Sequence, residues 1–330
     1  MAPPPEALPV SELRRETFKP PGAGAPDGAD RVWAAVLAAA GRAHAGPVPA
    51  GSYALGPDGV LVAVPPAAPE ALLEHDGGAW GPAPGLPAPL AVLVDLYAPQ
   101  CAPGGAPSVA VGHLGQSLDG YVATRSGDST FVNGPENILH LHRLRALSDA
   151  VVVGASTVAS DDPRLTTRLA RGANPVRVVL DPRRRLDADR RIFNDGEAPT
   201  LLVCAEDVAY GRPRIGRAEV LGVRCREGRL DLAALLDALA ARGLRTVLVE
   251  GGGETVSRFL EAGLLARVQI AVAPLIMGRG RPGLRLPGTE RIAECLRPAP
   301  RIFAMGADVL FDCDLTRAPA AAPAGVRRVL

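Results

Sequence analysis

The chain has 330 residues, of which 47% are hydrophobic and 22% charged, and its formal net charge is +1. This composition is typical of a soluble globular protein with an ample core and about two domains, and it excludes an intrinsically disordered chain. The near-neutral charge, without any block of like charge, argues against a nucleic-acid surface.

The N-terminus and the cysteines indicate a cytoplasmic protein without a metal site. Residues 1–10 are rich in proline and acidic, so we expect no signal peptide. No apolar run reaches the length of a membrane span, so we expect no membrane association. The five cysteines are scattered and form no C-x-x-C pair, which predicts reduced thiols rather than zinc ligands.

The first third of the chain predicts a small appended module. Residues 1–30 are dense in Pro, Gly and Ala, which indicates disorder or loose order. Residues 31–44 repeat apolar positions at helical spacing. Residues 53–64 hold Gly-Pro-Asp-Gly between apolar flanks, which predicts a hairpin, and residues 90–97 look like a strand. We therefore expect residues 31–100 to form a small α+β module of unknown role, structural or dimer-forming.

From residue 105 to 316 predicted strands alternate with predicted helices, which indicates an α/β domain with a mostly parallel sheet flanked by helices. Residues 317–330 are a tail. The strand–helix alternation is complete in this segment, so we expect it to fold without the first hundred residues. On the predicted helix at residues 135–148, His140 and His142 are two positions apart and diverge, so we expect them to be solvated.

Two glycine-containing stretches follow apolar runs in this domain. One reads HLGQSLDG from His113, and the other reads VGASTVASDDP from Val153. Ligands of open α/β sheets bind just past the carboxyl ends of the strands, so we expect one crevice for a nucleotide and a polar substrate. A third turn, Gly251 to Gly253 between a strand and a helix, suits a phosphate, although a tight structural turn gives the same pattern.

Three motifs in order resemble the reductase domain of bacterial riboflavin biosynthesis. They are Ser-Leu-Asp-Gly at 117–120, Thr-Val-x-x-Asp-Asp-Pro-x-Leu-Thr at 157–166, and Val-Glu-Gly-Gly at 249–252. The resemblance covers about residues 107–315. It implies a dihydrofolate-reductase-like fold, NADPH as cofactor, a homodimer, and reduction of a phosphorylated ribosylamino-pyrimidine to the ribitylamino product. The deaminase domain that often precedes this family is not expected, because the chain has no His-x-Glu and no Pro-Cys-x-x-C.

The resemblance, together with the glycine turns, implies a set of site residues. The predicted cofactor contacts are Gly115, Phe131, Gly154, Thr157, Asp161, Pro182, Arg183, Gly252, Gly253, Glu254 and Thr255. The predicted substrate contacts are Ser129, Arg145, Leu165, Arg168 and Glu250. Two arginines suit a ribose phosphate, although each taken singly could be a surface ion pair. The run Arg183 to Arg185 could hold the NADPH 2′-phosphate or be a solvated surface run.

His113 stands where the family has a lysine two residues before Gly115. Histidine titrates near neutrality, so His113 and Asp161 are the candidates for the proton that accompanies hydride transfer, and neither role is assigned. The change could also mark a different substrate. The alternatives are a reductase of a related pterin or specialised heterocycle, and a non-catalytic nucleotide-binding protein.

Overall fold

The computed structural model describes residues 28–43, 46–101, 108–130 and 132–317. The expectations for residues 1–27, for Phe131 and for the tail beyond residue 317 lie outside the described residues. The helices are α1 (Gly28–Ala43), α2 (Ala88–Tyr97), α3 (Pro135–Leu147), α4 (Ala155–Asp161), α5 (Arg191–Asn194), α6 (Glu206–Ala209), α7 (Leu232–Ala240) and α8 (Gly253–Glu261). The strands are β1 (Gly51–Leu55), β2 (Leu61–Val64), β3 (Leu73–His75), β4 (Trp80–Pro82), β5 (Val109–Ser117), β6 (Tyr121–Thr124), β7 (Ala150–Gly154), β8 (Val176–Leu180), β9 (Thr200–Ala205), β10 (Arg214–Ile215), β11 (Ala218–Val223), β12 (Cys225–Arg226), β13 (Arg229–Leu230), β14 (Thr246–Val249), β15 (Arg267–Ala273), β16 (Gly280–Pro282), β17 (Ala299–Met305) and β18 (Asp308–Asp314).

A ten-stranded sheet of order β10-β11-β9-β8-β7-β14-β5-β15-β18-β17 forms the centre of the protein. The pairings from β11 through β15 are all parallel, while β10, at one edge, and β18 run antiparallel to their neighbours. The expected α/β class, with a mostly parallel sheet and an antiparallel edge, is confirmed.

Both faces of this sheet are covered. Along β7, Val151 and Val153 pack into one apolar cluster and Ala150 and Val152 into the other, because successive side chains of a strand point to opposite faces. One cluster lies under α7 and α8. The other contains side chains of α1 and α2, so the first hundred residues and the large sheet share one core.

The N-terminal residues form a four-stranded antiparallel sheet, β2-β1-β3-β4, with α1 and α2. The predicted hairpin is confirmed as β1 and β2. The predicted strand at residues 90–97 is wrong, because these residues belong to helix α2. Its Ala and Leu residues favour helix, and Pro89 stands in its first turn, where the missing N–H is tolerated.

Two further expectations need correction. Strand β5 does not end before His113 but continues to Ser117, because β15 pairs with it along residues 111–117. His140 and His142 are not solvated: both are buried, each about 1% exposed. His140 is covered by the N-terminal module, where the Tyr97 hydroxyl lies 2.9 Å from its Nδ1. His142 is covered by the loop at residues 166–169, whose Leu169 N–H lies 3.4 Å from His142 Nδ1.

Candidate active site

A cavity of about 510 Å³ opens at the carboxyl ends of β7 and β14 and beside the middle of β5. Strand β14 lies between the other two, with Val249 opposite both Gly112 and Val152. The residues that follow these three in the chain are His113 after Gly112, Val153 after Val152 and Glu250 after Val249. All three line the cavity. The sheet topology thus brings the two glycine-containing stretches and the Gly251 to Gly253 turn to one cavity, as expected for ligand sites of open α/β sheets.

Glu250 and Arg145 form a buried ion pair in the cavity wall. Arg145 donates from Nε to Glu250 Oε1 at 2.8 Å and from Nη2 to Oε2 at 2.7 Å. Its third nitrogen, Nη1, donates to the Thr166 carbonyl at 3.2 Å. Both side chains were predicted to bind substrate directly. In the structure the guanidinium is already committed, and Glu250 is held in one orientation.

The predicted pairing of Arg145 with Arg168 around a phosphate stays a prediction. Both side chains reach Thr166, Arg145 at its carbonyl and Arg168 with Nη1 3.5 Å from its Oγ1, but Arg168 is exposed and does not line the cavity. Two further arginines, Arg281 and Arg285, do line it and are available to a phosphate.

His113 is a buried, neutral member of the wall rather than a neutral-pH titrating group. Its side chain is 3% exposed, and its Nε2 lies 3.2 Å from Asn137 Oδ1. Burial lowers the pKa of His113 from 6.5 to about 4, in spite of the opposing effect of Glu250. The expectation of titration near neutrality is therefore corrected. At pH 7 the imidazole acts as a hydrogen-bonding group without charge.

Asp161 ends helix α4 on the opposite side of the cavity. Desolvation at the wall raises the pKa of this carboxyl, while the positive charge of Arg281 acts in the other direction. Arg281 also lies 3.5 Å from Ser160 Oγ, so it is close to the same helix end. Asp161 therefore binds a proton more readily than an ordinary aspartate.

The glycine turn before α8 is shaped by contacts that leave no room for side chains. Gly251 has φ +104°, which favours glycine. A Cβ at Gly253 would collide with the carbonyl of Gly283, so this position requires glycine. Gly252 donates its N–H to Thr157 Oγ1 at 3.2 Å. The Thr157 hydroxyl, on α4, thereby anchors the start of α8.

The predicted residues divide into three groups. Those that line the cavity are His113, Gly115, Ser129, Arg145, Thr157, Asp161, Leu165, Glu250, Gly252, Gly253 and Glu254. Those that do not line it are Gly154, Arg168, Pro182, Arg183 and Thr255. Phe131 lies outside the described residues. Gly154 and Thr255 contact each other behind the cavity wall. A Cβ on residue 154 would lie 2.6 Å from the Thr255 hydroxyl, so the contact depends on glycine at this position.

The lining residues that the sequence analysis missed include Asn133, Asn137, Arg281 and Arg285. Asn133 donates to Asp308 Oδ2 at 3.0 Å, and its Oδ1 occupies the space that a side chain at Gly115 would need. Arg281 belongs to strand β16, which pairs with β6 across the cavity mouth. For Arg281 the only signal in the sequence was the glycine-rich stretch at residues 278–283, because the pairing of β16 with β6 that brings Arg281 to the cavity is long-range.

Among the described residues, no group of three or more His, Cys, Asp or Glu could hold a metal ion. None of the described helices is long and apolar enough to cross a bilayer.

Comparison with known proteins gives a consistent result. Residues 111–299 match the family model described as the RibD C-terminal domain. The 2,5-diamino-6-ribosylamino-4(3H)-pyrimidinone 5′-phosphate reductase of Methanothermobacter thermautotrophicus is 37% identical over 205 residues, which are 59% of this chain and 93% of that protein. The riboflavin biosynthesis protein RibD of Aquifex aeolicus is 33% identical over 167 residues, 50% of this chain and 46% of that one. The chain thus spans about half the length of that RibD protein.

Solved structures agree on the fold. RibD of Acinetobacter baumannii superposes with a TM-score of 0.53 and 24% sequence identity, covering 68% of this chain and 62% of that one. The deaminase/reductase of Thermotoga maritima gives a TM-score of 0.52 at the same identity, with 68% and 60% covered. The dihydrofolate-reductase-like fold expected from the sequence is confirmed.

Proposed function

This chain belongs to the RibD C-terminal domain family, and from that membership and the geometry of its cavity we propose that it reduces a ribosylamino-pyrimidine phosphate with NADPH. The observation that carries the proposal is the convergence of His113, Glu250 and the start of α8 on one cavity of about 510 Å³. This volume lies within the range of small-molecule sites.

The residues around the glycine turn fit a dinucleotide cofactor, which would supply the hydride. The first N–H groups of a helix have no intrahelical partner and carry partial positive charge, so the start of α8 suits a pyrophosphate. Arg281 and Arg285 add cationic donors beside it, since residues 282–283 pack against Gly253. We propose that Pro182 and Arg183, at the neighbouring end of β8, reach the 2′-phosphate of NADPH.

The opposite wall suits the pyrimidine. Glu250, fixed by Arg145, offers carboxylate oxygens to the amino and N–H edge of the base. Neutral His113 and Asn137 add further hydrogen-bonding groups, Leu165 gives an apolar contact, and Ser129 gives a hydroxyl at the same wall. These polar groups are pre-positioned by buried contacts, which is the main requirement when catalysis consists of aligning two reactants.

The reaction needs one hydride and one proton. The ribosylamine opens to an imine; hydride adds to the sugar C1, and the imine nitrogen gains a proton, which gives the ribitylamine. We propose Asp161 as the proton donor, because it lines the cavity and desolvation raises its pKa above that of an ordinary aspartate. His113 is assigned a hydrogen-bonding role, since its pKa of about 4 leaves it neutral.

A substrate panel tests the proposal. NADPH oxidation is followed at the nicotinamide absorbance with the diamino-pyrimidinone phosphate, the amino-uracil phosphate, dihydrofolate and a dihydropterin. We expect turnover with the ribosylamino-pyrimidine phosphates and none with the last two compounds. Turnover of a pterin alone would move the assignment to another heterocycle, and cofactor binding without turnover of any compound would favour a non-catalytic protein.

We further propose that the enzyme is a homodimer paired along the edge strand β17. Its Ile302 is exposed, and the segment before it exposes Leu286, Ile292 and Leu296. An uncovered apolar edge strand is a site for pairing with another chain. Light scattering should give the mass of two chains, and Ile302→Lys should shift the protein to the mass of one.

A further inference from the structure

A chain of buried polar groups runs from the N-terminal module to the active-site cavity. Tyr97, the last residue of α2, has its hydroxyl 2.9 Å from Nδ1 of His140 on α3. Nε2 of His140 lies 2.9 Å from Gln269 Oε1 on β15. All three side chains are at most about 1% exposed. The imidazole of His140 is therefore clamped between a residue of the module and a residue of the sheet.

The direction of each hydrogen bond follows from the far end of this chain. Asp312 is ion-paired with Arg267 and Arg301, so its carboxylate only accepts. Gln269 donates from Nε2 to Asp312 Oδ1 at 3.2 Å, which turns its Oε1 toward His140. His140 must donate to that oxygen from Nε2. In the neutral imidazole Nδ1 is then an acceptor, and the Tyr97 hydroxyl is its donor.

The protonation states of His140 and Tyr97 do not change near neutral pH. Burial lowers the pKa of His140 to about 3 and raises the pKa of Tyr97 to about 12. Neither group titrates near neutrality, so one tautomer of His140 is fixed by its two partners.

His140 in turn supports the histidine of the cavity. Its ring centroid lies 5.4 Å from that of His113, with the planes inclined at 54°. His113 is held on its other side by Asn137, also on α3. Of these four residues only His113 and Asn137 line the cavity. Tyr97 and His140 do not line the cavity, and the His140 ring contacts His113 from behind.

Several contacts hold the N-terminal module against the main domain. Trp33 of α1 donates from Nε1 to the Arg171 carbonyl at 3.0 Å. The Arg143 guanidinium lies 5.4 Å from the ring centroid of Trp33 and 5.6 Å from that of Tyr97. Arg301 donates from Nη1 to the Asp95 carbonyl at 2.6 Å. These contacts join α1 and α2 to α3, to the loop at residue 171 and to β17.

We propose that Tyr97 and His140 are positioning residues for His113, which makes the N-terminal module a working part of the reductase site. The expected effect of these residues on turnover rests on the proposed function. The match to the family begins at residue 111, so Tyr97 lies outside the part of the chain that resembles the family.

The test compares two tyrosine variants of the full chain. Tyr97→Phe removes the hydroxyl that donates to His140. Tyr53→Phe is the matched control, because Tyr53 is also buried in the module but donates to the Pro49 carbonyl at 2.7 Å. The readouts are kcat, KM and the ¹⁵N spectrum of the histidine rings, which is simple because the chain has five histidines. His113→Gln and His140→Gln assign the two relevant signals.

For Tyr97→Phe we expect the His140 and His113 signals to move, and kcat to fall about tenfold with KM changed less than about twofold. Tyr53→Phe should leave all of these unchanged even if it lowers the melting temperature. If both variants keep the His113 signal and kcat of the wild type, the positioning role is wrong.

Two further outcomes are distinguishable. If Tyr97→Phe does not fold, 3-fluorotyrosine in place of tyrosine keeps the packing and strengthens the donor, and an unmoved His140 Nδ1 signal would then contradict the proposal. If the wild type reduces no pyrimidine phosphate, the proposed function fails. The spectra of Tyr97→Phe still decide whether the module sets the position of His113.

Discussion

Arg145 and Glu250, 105 positions apart in the chain, are joined by two hydrogen bonds of 2.8 and 2.7 Å inside the cavity wall. The pair connects helix α3 to the end of strand β14. It therefore couples the stability of the fold to the shape of the site, because neither charge can be removed without leaving the other buried and uncompensated.

Glu250→Gln should lower both stability and activity. Removing one member of a buried pair costs about 3–5 kcal/mol in the free energy of unfolding, which urea denaturation measures. The control is Glu219→Gln, which breaks the exposed Arg242–Glu219 pair of 3.1 Å and should cost at most about 1 kcal/mol. Similar small losses in both variants, with kcat/KM unchanged, would contradict the role given to Glu250.

Stability should fall steeply as the pH drops below neutrality. The pKa of His113 is lowered to about 4, and those of His140 and His142 to about 3, chiefly by burial, so all three lie below the ordinary value of 6.5. Neighbouring groups also shift these pKa values. Those that lower them are Arg143, Arg145, Arg168 and, for His140, the His113 ring. Those that raise them are Glu250, Asp312 and hydrogen bonds to Asn137, Gln269 and Thr166.

Because the folded pKa values are depressed, the unfolded chain binds these protons first as the pH falls through 6.5. The stability is full above that pH and is lost toward pH 4, by up to about 4 kcal/mol per pH unit for three protons. Urea denaturation at pH 7, 6 and 5 measures the slope. His142→Gln should reduce it by about 1.4 kcal/mol per pH unit, and an unchanged slope would show that His142 is not buried neutral.

Asp161→Asn should lower kcat by roughly a hundredfold to ten-thousandfold if Asp161 supplies the proton, with cofactor affinity nearly unchanged. Arg281→Gln removes the charge that opposes the raised pKa of Asp161, so the protonated form persists to higher pH and the alkaline limb of kcat moves upward. The control is the neighbouring Asp162→Asn, whose carboxylate accepts from the Arg191 N–H instead. Equal effects at 161 and 162 would remove Asp161 from the chemistry.

Cofactor selectivity separates the arginines. Arg183→Ser should weaken NADPH binding by about 1.5–3 kcal/mol, the range for hydrogen bonds to charged groups, and leave NADH binding unchanged. Arg285→Ser should weaken both cofactors, because it stands at the proposed pyrophosphate site. The exposed Arg212→Ser serves as control. Calorimetry with each dinucleotide measures these affinities, and equal losses of NADPH and NADH in Arg183→Ser would take Arg183 out of the 2′-phosphate site.

The segment from residue 105 onward, expressed alone, should be much less stable than the whole chain. The sequence alone predicts that it folds without the first hundred residues, but the structure shows that Leu144, Leu147 and Leu310 share a core with Trp33 and Tyr97. Each large apolar side chain left uncovered forfeits about 1.5–3 kcal/mol. A chain starting at residue 28 is the control, and a melting temperature of the shorter fragment equal to that of the control would show that the module is dispensable.

The sequence by itself determined the class of the fold, the alternation of strands and helices in the main domain, and part of the cavity wall. Hydrophobic periodicity and strand–helix alternation are local signals, so they need no knowledge of long-range contacts. Glycine-rich turns after buried strands are also local, and together with the family resemblance they predicted the Gly251 to Gly253 turn, Thr157, Asp161 and Glu250.

Only the tertiary structure decided how these residues are used. His140 is buried by Tyr97 of the N-terminal module and His142 by the loop at residues 166–169, and no pattern within α3 reports either contact. Arg145 and Arg168 look alike in the sequence, but long-range packing buries one against Glu250 and leaves the other exposed. Burial and charge pairing depend on residues far apart in the chain, and these set the pKa values and the free hydrogen-bonding groups of the site.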